Sequence, residues 1–254
     1  MTAEVGAAGS ARARPRLISM WSGPRNVSTA MMYSWRQRSD SVVVDEPWYA
    51  RYLVISGVDH PDRELAIASQ PTDPTEIIDG LLEPCPRPVR FLKNMAHHLV
   101  GFDLSELDSV LALSDNFLLV RDPRDMLPSL MARLGRVPTI DQTGLELQMT
   151  VYERLAAAGS PPPVVVTSSL LRDPRRVLSA LCDQLDLEFE EGVLSWPSGP
   201  KPEDGVWARH WYAGVHASTG FGRYEPKTGP IEPELADLLE RCRLPFDRLA
   251  SVAV

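Results

Sequence analysis

Along this chain, short apolar runs alternate with stretches whose apolar residues recur every three or four positions. The runs read as buried strands: Leu17 to Trp21, Ser41 to Asp45, Val89 to Lys93, Asn116 to Val120 and Val164 to Thr167. The periodic stretches read as helices. In Val27 to Arg38, the residues Val27, Ala30, Met31, Ser34 and Trp35 share a face. Asp122-Pro123 supplies an N-cap and a first-turn proline ahead of a stripe of Leu127, Leu130, Met131 and Leu134. Asp173-Pro174 does the same for a helix through Leu185 that aligns Val177, Leu178, Leu181, Cys182 and Leu185. Further helices are expected over Thr75 to Leu82, Leu104 to Leu113, Thr143 to Ala158 and Glu232 to Cys242. The rest of residues 56 to 88, and the stretch after Gly192, read as irregular and rich in Pro. Strands alternating with helices imply βαβ units. Near-continuous apolar strands imply a sheet covered on both faces, so the expected class is α/β with a mostly parallel central sheet.

With 254 residues, 44% of them apolar, the chain can fill one sizeable core, and a single domain over residues 17–254 is expected. Met1 to Arg16, rich in Ala, Gly and Arg and without an apolar h-region, reads as a flexible tail and not a secretory signal. A formal net charge of −8 argues against nucleic acid as a partner but leaves room for one anionic ligand in a local basic pocket. Cys85, Cys182 and Cys242 are odd in number and far apart, which suits a reducing cytoplasm better than a disulfide framework or a structural zinc. No apolar run approaches the roughly 18 residues of a membrane span, so no membrane partner is expected.

Two segments carry candidate chemistry. Ser22 to Thr29 (SGPRNVST) joins a strand to a helix start, where free N–H groups and the positive dipole end favour phosphate or sulfate. Arg25 could add a forked charge there, and Ser28 and Thr29 hydroxyl donors. It is not a Walker A loop, since the second Gly and the Lys are absent. In the second segment Arg121 ends a strand and Ser129 lies about two turns into the next helix, roughly 10 Å along its axis. An Arg and a Ser so placed could meet on one anion. Taken singly, each segment is accounted for as well by an ordinary capped turn.

Together they are similar to the motifs of PAPS-dependent sulfotransferases (PAPS being 3′-phosphoadenosine 5′-phosphosulfate), in the bacterial-type small-molecule branch. The family's phosphosulfate loop resembles G-x-P-R-S-G-T-T, and its 3′-phosphate motif resembles R-D-P-R-D with a Ser eight residues after the first Arg, as Arg121 and Ser129 are spaced here. The resemblance spans most of the chain and implies a P-loop-like sulfotransferase architecture. It implies that Arg25, Asn26, Val27, Ser28 and Thr29 form the 5′-phosphosulfate site. Arg121 and Ser129 would bind the 3′-phosphate, and Arg223, in the loop Ser218 to Arg223, would close over the nucleotide. Val27 stands where the family has Gly, and Ser168 and Ser169 where it has Tyr-Glu in a segment near the adenine. The product would be adenosine 3′,5′-bisphosphate, and no metal is required.

A base must take the acceptor proton. Glu46 follows the second strand and resembles the Glu base of the heparan-type branch. His97 and His98 are the other candidates, since the cytosolic branch has K-T-H after its third strand. Here Lys93 matches that Lys while Met95 stands at its His. Lys93, one of three lysines, would stabilise charge on the departing phosphate. The acceptor is expected to be a small-molecule hydroxyl or amine. The aromatics after Glu46 (Trp48, Tyr49, Tyr52) and in the C-terminal third could line its pocket or simply serve as core. Two readings remain beside sulfuryl transfer: a P-loop kinase-like phosphotransferase with a degenerate loop, and a non-catalytic nucleotide-binding module. Homodimerisation is left open.

Overall fold

The computed structural model describes residues 14–254. Residues 1–13 of the expected tail lie outside the described residues, and Arg16 belongs to the first strand. Five strands form one sheet: β1 Arg16–Ser22, β2 Ser41–Asp45, β3 Val89–Met95, β4 Asp115–Val120 and β5 Val164–Val166. Their order is β2-β3-β1-β4-β5, and every pairing is parallel. From β1 the chain crosses to one side of the sheet to make β2 and β3, then to the other for β4 and β5. The C-terminal edge of β1 is therefore the topological switch point, where open parallel sheets bind ligands.

The described residues contain thirteen α-helical segments. They are α1 Ser28–Trp35, α2 Tyr49–Ser56, α3 Arg63–Ala68, α4 Pro74–Leu82, α5 Leu104–Leu111, α6 Pro123–Leu134 and α7 Ile140–Thr143. The remainder are α8 Leu145–Ala157, α9 Thr167–Arg172, α10 Pro174–Gln184, α11 Ala208–Trp211, α12 Ala213–His216 and α13 Ala236–Ala250. Two apolar cores result, one on each face of the sheet. One packs α4, α5, α6, α8 and α13 around Trp21, Leu118 and Val120. The other packs α1, α2, α9 and α10 around Ile18, Phe91 and Leu119. Among the described residues no helix is long and apolar enough to cross a membrane.

The departures from expectation have local causes. Helix α2 went unread because Arg51 lies on its buried face, with its guanidinium 3.8 Å from the centre of the Phe102 ring and donating to the carbonyls of Val100 and Gly101. The helix expected over Thr143 to Ala158 is broken at Gly144, whose φ of 73° ends α7 and starts α8. Thr167 opens α9 and does not extend β5. The last helix runs past Cys242 and through Pro245 to Ala250. An interior proline costs a helix about 3 kcal/mol. Leu238, Leu239, Cys242, Phe246 and Leu249 are all buried on one face of α13, and at about 1.5–3 kcal/mol for each large apolar side chain their burial outweighs that cost.

Candidate active site

The turn after β1 is held in an unusual backbone conformation. Arg25 and Val27 both have φ of 59°, in the left-handed region. That conformation costs a non-glycine residue about 1–2 kcal/mol, and suits a β-branched one least. It persists because the turn is pinned from below. The Asn26 side-chain amide donates to the Leu119 carbonyl at 3.0 Å, and Gln148 Nε2 donates to the carbonyls of both Trp21 and Leu119 at 2.9 Å. Thr167 Oγ1 donates to the Asn26 carbonyl at 3.2 Å and Arg121 Nη1 to the Arg25 carbonyl at 2.6 Å. Gly23 lets the α7–α8 corner press on the turn, since a Cβ there would lie 2.6 Å from the Thr143 carbonyl oxygen. The side chain of Asn26, expected to face an anion, is thus committed to the protein. Val27 is the N-cap of α1 and, having no polar side chain, leaves the first-turn N–H groups without a side-chain acceptor. Such a helix start suits an anion.

Cations crowd the same place. Arg25 Nε donates to Ser129 Oγ at 2.9 Å, so Arg25 bridges Arg121 and Ser129, which meet through it and not directly. Burial, then the like charges of Arg121 and Arg133, lowers the pKa of Arg25. Burial also lowers that of Arg121, whose Nε is buried without a partner among the described residues. Crowded, partly unsatisfied guanidinium groups are what a bound anion would relieve. Arg223 is exposed and is not part of the cavity wall, where its loop instead contributes Ser218, Gly220 and Gly222.

The other end of the site is built on β2 and β3. Glu46, at φ of 47°, follows β2, and its N–H donates to the Lys93 carbonyl at 2.9 Å. Lys93, only 1% exposed, donates to Asp45 Oδ1 at 2.8 Å, to Glu46 Oε1 at 2.6 Å and to the Tyr212 hydroxyl. Burial would push the Lys93 ammonium down, but the Asp45 and Glu46 carboxylates overcome it and hold the pKa raised. Burial raises the Asp45 pKa in spite of Lys93. His98 Nε2 lies 3.8 Å from Glu46 Oε2. Burial keeps His97 and His98 far below the usual imidazole range, so both are neutral, and both Nδ1 atoms are buried without a partner among the described residues. The two rings do not point at one centre. They meet edge to face at 4.5 Å, and His98 stacks on Tyr49 and Tyr52.

One cavity of about 500 Å³ joins the two ends. Its wall includes Arg25, Asn26, Val27, Ser28, Thr29, Glu46, Lys93, His97, His98 and Arg121 from the sequence-derived set. Ser129 supports the wall through Arg25 without entering it. Sequence reasoning missed His60 and Gln148, and offered Trp207 and Tyr212 only among the C-terminal aromatics that could line a pocket or serve as core. It placed Asp45 at the end of the second strand without assigning it to the site, although tandem carboxylates closing a β-branched strand were a usable signal. No local pattern marks Tyr212 or Gln148.

A sequence profile of the sulfotransferase domain matches residues 16–252 of the chain. Branched-chain-amino-acid aminotransferase-like proteins 1 and 2 of Arabidopsis thaliana are 37% and 36% identical to it, over 90% and 89% of its length. The chain spans 40% of the length of each. Among solved structures, a sulfotransferase from Alicyclobacillus acidocaldarius is similar with a TM-score of 0.55 at 11% identity, covering 95% of this chain and 98% of that one. The sulfotransferase domain from the curacin biosynthetic pathway reaches 0.51 at 19% identity, covering 94% and 97%. At these identities the structural likeness is one of fold.

Proposed function

This chain belongs to the sulfotransferase domain family, and on that premise we propose that it moves a sulfuryl group from PAPS to the hydroxyl or amine of a small molecule. One observation carries the reading. A single cavity holds crowded guanidinium groups beside an uncapped helix start and, further along, a carboxylate paired with an ammonium. The residues fit the donor, because the free Arg121 Nε and the open first turn of α1 are unmet needs that its phosphate and sulfate oxygens would satisfy.

Arg25, Ser28, Thr29 and the N–H groups of α1 would hold the 5′-phosphosulfate, and Arg121 with Ser129 the 3′-phosphate. The donor supplies an activated S–O bond, whose transfer needs in-line attack and dispersal of negative charge. Glu46 is the member of the buried carboxylate pair that lines the cavity, and it takes the acceptor proton. Lys93 stabilises charge on the leaving oxygen. His98 stays neutral and, with Tyr49, Tyr52, Trp207 and Trp211, walls an organic acceptor away from water.

Thermal unfolding with adenosine 3′,5′-bisphosphate, 5′-AMP and Mg·ATP in parallel tests the reading. A ligand at about 100 times its Kd adds roughly 2.7 kcal/mol, a rise of several degrees for a chain of this size. The bisphosphate should give the largest rise. A rise with Mg·ATP alone would overturn the proposal in favour of phosphoryl transfer.

A further inference from the structure

The ammonium of Lys93 has three hydrogens, and three acceptors surround it: Asp45 Oδ1, Glu46 Oε1 and the Tyr212 hydroxyl oxygen. The hydroxyl is fully engaged in turn. It accepts from Trp207 Nε1 at 3.1 Å and donates to Asp45 Oδ2 at 2.8 Å. Asp45 also accepts from the Gly205 N–H at 3.0 Å. This closed set ties β2 and β3 to the segment 205–212. It leaves Lys93 no hydrogen for a ligand, although Lys93 lines the cavity. It also holds two carboxylates against one ammonium in a buried place, so it carries one uncompensated negative charge. Of the two carboxylates Glu46 is the one that meets the cavity, so a proton given up by a molecule bound there reaches Glu46 and not Asp45.

We propose that Asp45 and Tyr212 are positioning residues that clamp Lys93, and that proton arrival on Glu46 releases it toward the leaving group. The release step rests on the sulfuryl-transfer reading. The acceptor O–H or N–H proton moves to the Glu46 carboxylate, and the freed electron pair forms the bond to sulfur. The S–O bond to the 5′-phosphate breaks, and its electron pair stays on the phosphate oxygen. Neutral Glu46 no longer holds Lys93 by charge, so one N–H of Lys93 turns to that oxygen, while Asp45 and Tyr212 keep the other two in place. Base and leaving-group stabiliser are thereby coupled: Lys93 acts when an acceptor has delivered its proton, and not before.

The three lysines make the clamp observable by nitrogen-15 lysine NMR on the full chain, with Lys93 assigned through Lys93→Arg. Without any ligand, the Lys93 ammonium hydrogens should exchange with solvent at least tenfold more slowly than those of exposed Lys227. Tyr212→Phe and Asp45→Asn should each shorten that protection severalfold, and Glu46→Gln, standing in for the protonated carboxyl, should free Lys93 further. In steady state, Tyr212→Phe should leave the donor KM within about threefold, lower kcat, and raise the share of PAPS broken down without acceptor. Lys93 exchange as fast as that of Lys227, or unchanged in both the Tyr212 and Asp45 variants, overturns the clamp. Protected exchange with an unchanged hydrolysis share overturns the release step. Failure of the wild-type chain to bind adenosine 3′,5′-bisphosphate overturns the donor reading and the release step with it, while the exchange data still decide the clamp. If one variant does not fold, the other decides.

Discussion

Removing the Arg121 side chain separates its two duties. In the structure it has one formed hydrogen bond, from Nη1 to the Arg25 carbonyl, and one buried unmet donor, Nε. The formed bond steadies the turn after β1 and, being solvent-exposed and to a neutral acceptor, contributes about 1 kcal/mol. A bond from Nε to a phosphate would be charge-assisted and contribute about 2 kcal/mol or more. Arg121→Ala should therefore weaken 5′-AMP, which needs only the turn, by about 1 kcal/mol, or roughly fivefold. It should weaken adenosine 3′,5′-bisphosphate by about 3 kcal/mol, or roughly 150-fold. The difference, about 30-fold, is the share owed to the 3′-phosphate. Titration calorimetry at one fixed ionic strength measures both, because unequal salt would shift the two anions differently. Arg121→Lys keeps the charge without the fork and should fall between. Equal losses for the two nucleotides would refute the 3′-phosphate assignment and leave Arg121 as a strut for the turn.

Other consequences can be checked on the protein without donor or acceptor. His97 and His98 are held neutral, chiefly by burial, while an unfolded histidine takes a proton near pH 6.5. Their folded pKa values are depressed, so this stability is present above about pH 6.5 and is lost as pH falls below it. The loss approaches about 2.7 kcal/mol per pH unit for the pair. Urea unfolding from pH 7 to pH 5 should show the fall, and His98→Gln should roughly halve the slope; an unaltered slope would refute it. Gly23→Ala places a methyl 2.6 Å from the Thr143 carbonyl and should cost about 1–3 kcal/mol, read as a Tm lowered by several degrees together with weaker bisphosphate binding. An unchanged Tm would mean that the α7–α8 corner does not brace the turn. Burial pushes the Cys242 thiol up to about 11 and also raises that of Cys182, against the charge of Arg38. Brief iodoacetamide treatment of the folded chain should therefore add one label, on half-buried Cys85, by intact mass. Two or more labels would contradict the burial.

What could be read in the sequence was what the chain encodes locally. Strand, turn and helix are contiguous from Leu17 to Trp35, so the turn proposed to cradle an anion could be located from one stretch of letters. Arg121 and Ser129 sit within one strand end and the helix that follows. The α/β class came from strand and helix periods, each spanning a few residues. The clamp on Lys93 has no such trace, since Asp45 and Tyr212 are 167 positions apart. Gln148 lies 127 positions from the Trp21 carbonyl it holds. Val27 shows the limit from the other side. A valine argues against a left-handed turn, and the turn forms because Asn26 within it, Arg121 just past β4 and Thr167 at the start of α9 hold it there. Where tertiary contacts override local preference, the letters mislead, and here they do so at the site itself.

The cavity is electrically polarised, and this follows from placement and not from composition. A chain with net charge −8 nonetheless gathers Arg25, Arg121 and Arg133 near the C-terminal ends of β1 and β4. At the ends of β2 and β3 it sets two carboxylates against one lysine. The sheet order sets β1 beside β3, so both groups open onto one cavity, with the uncapped start of α1 on its wall. A low-dielectric wall strengthens both fields relative to water. On the sulfuryl-transfer reading the cationic end would hold the phosphates of donor and product alike. On the same reading the anionic end would favour a proton arriving from a neutral acceptor. The cationic end on that reading serves donor binding, while the anionic end acts on a proton that moves only as the reaction proceeds and so serves the barrier.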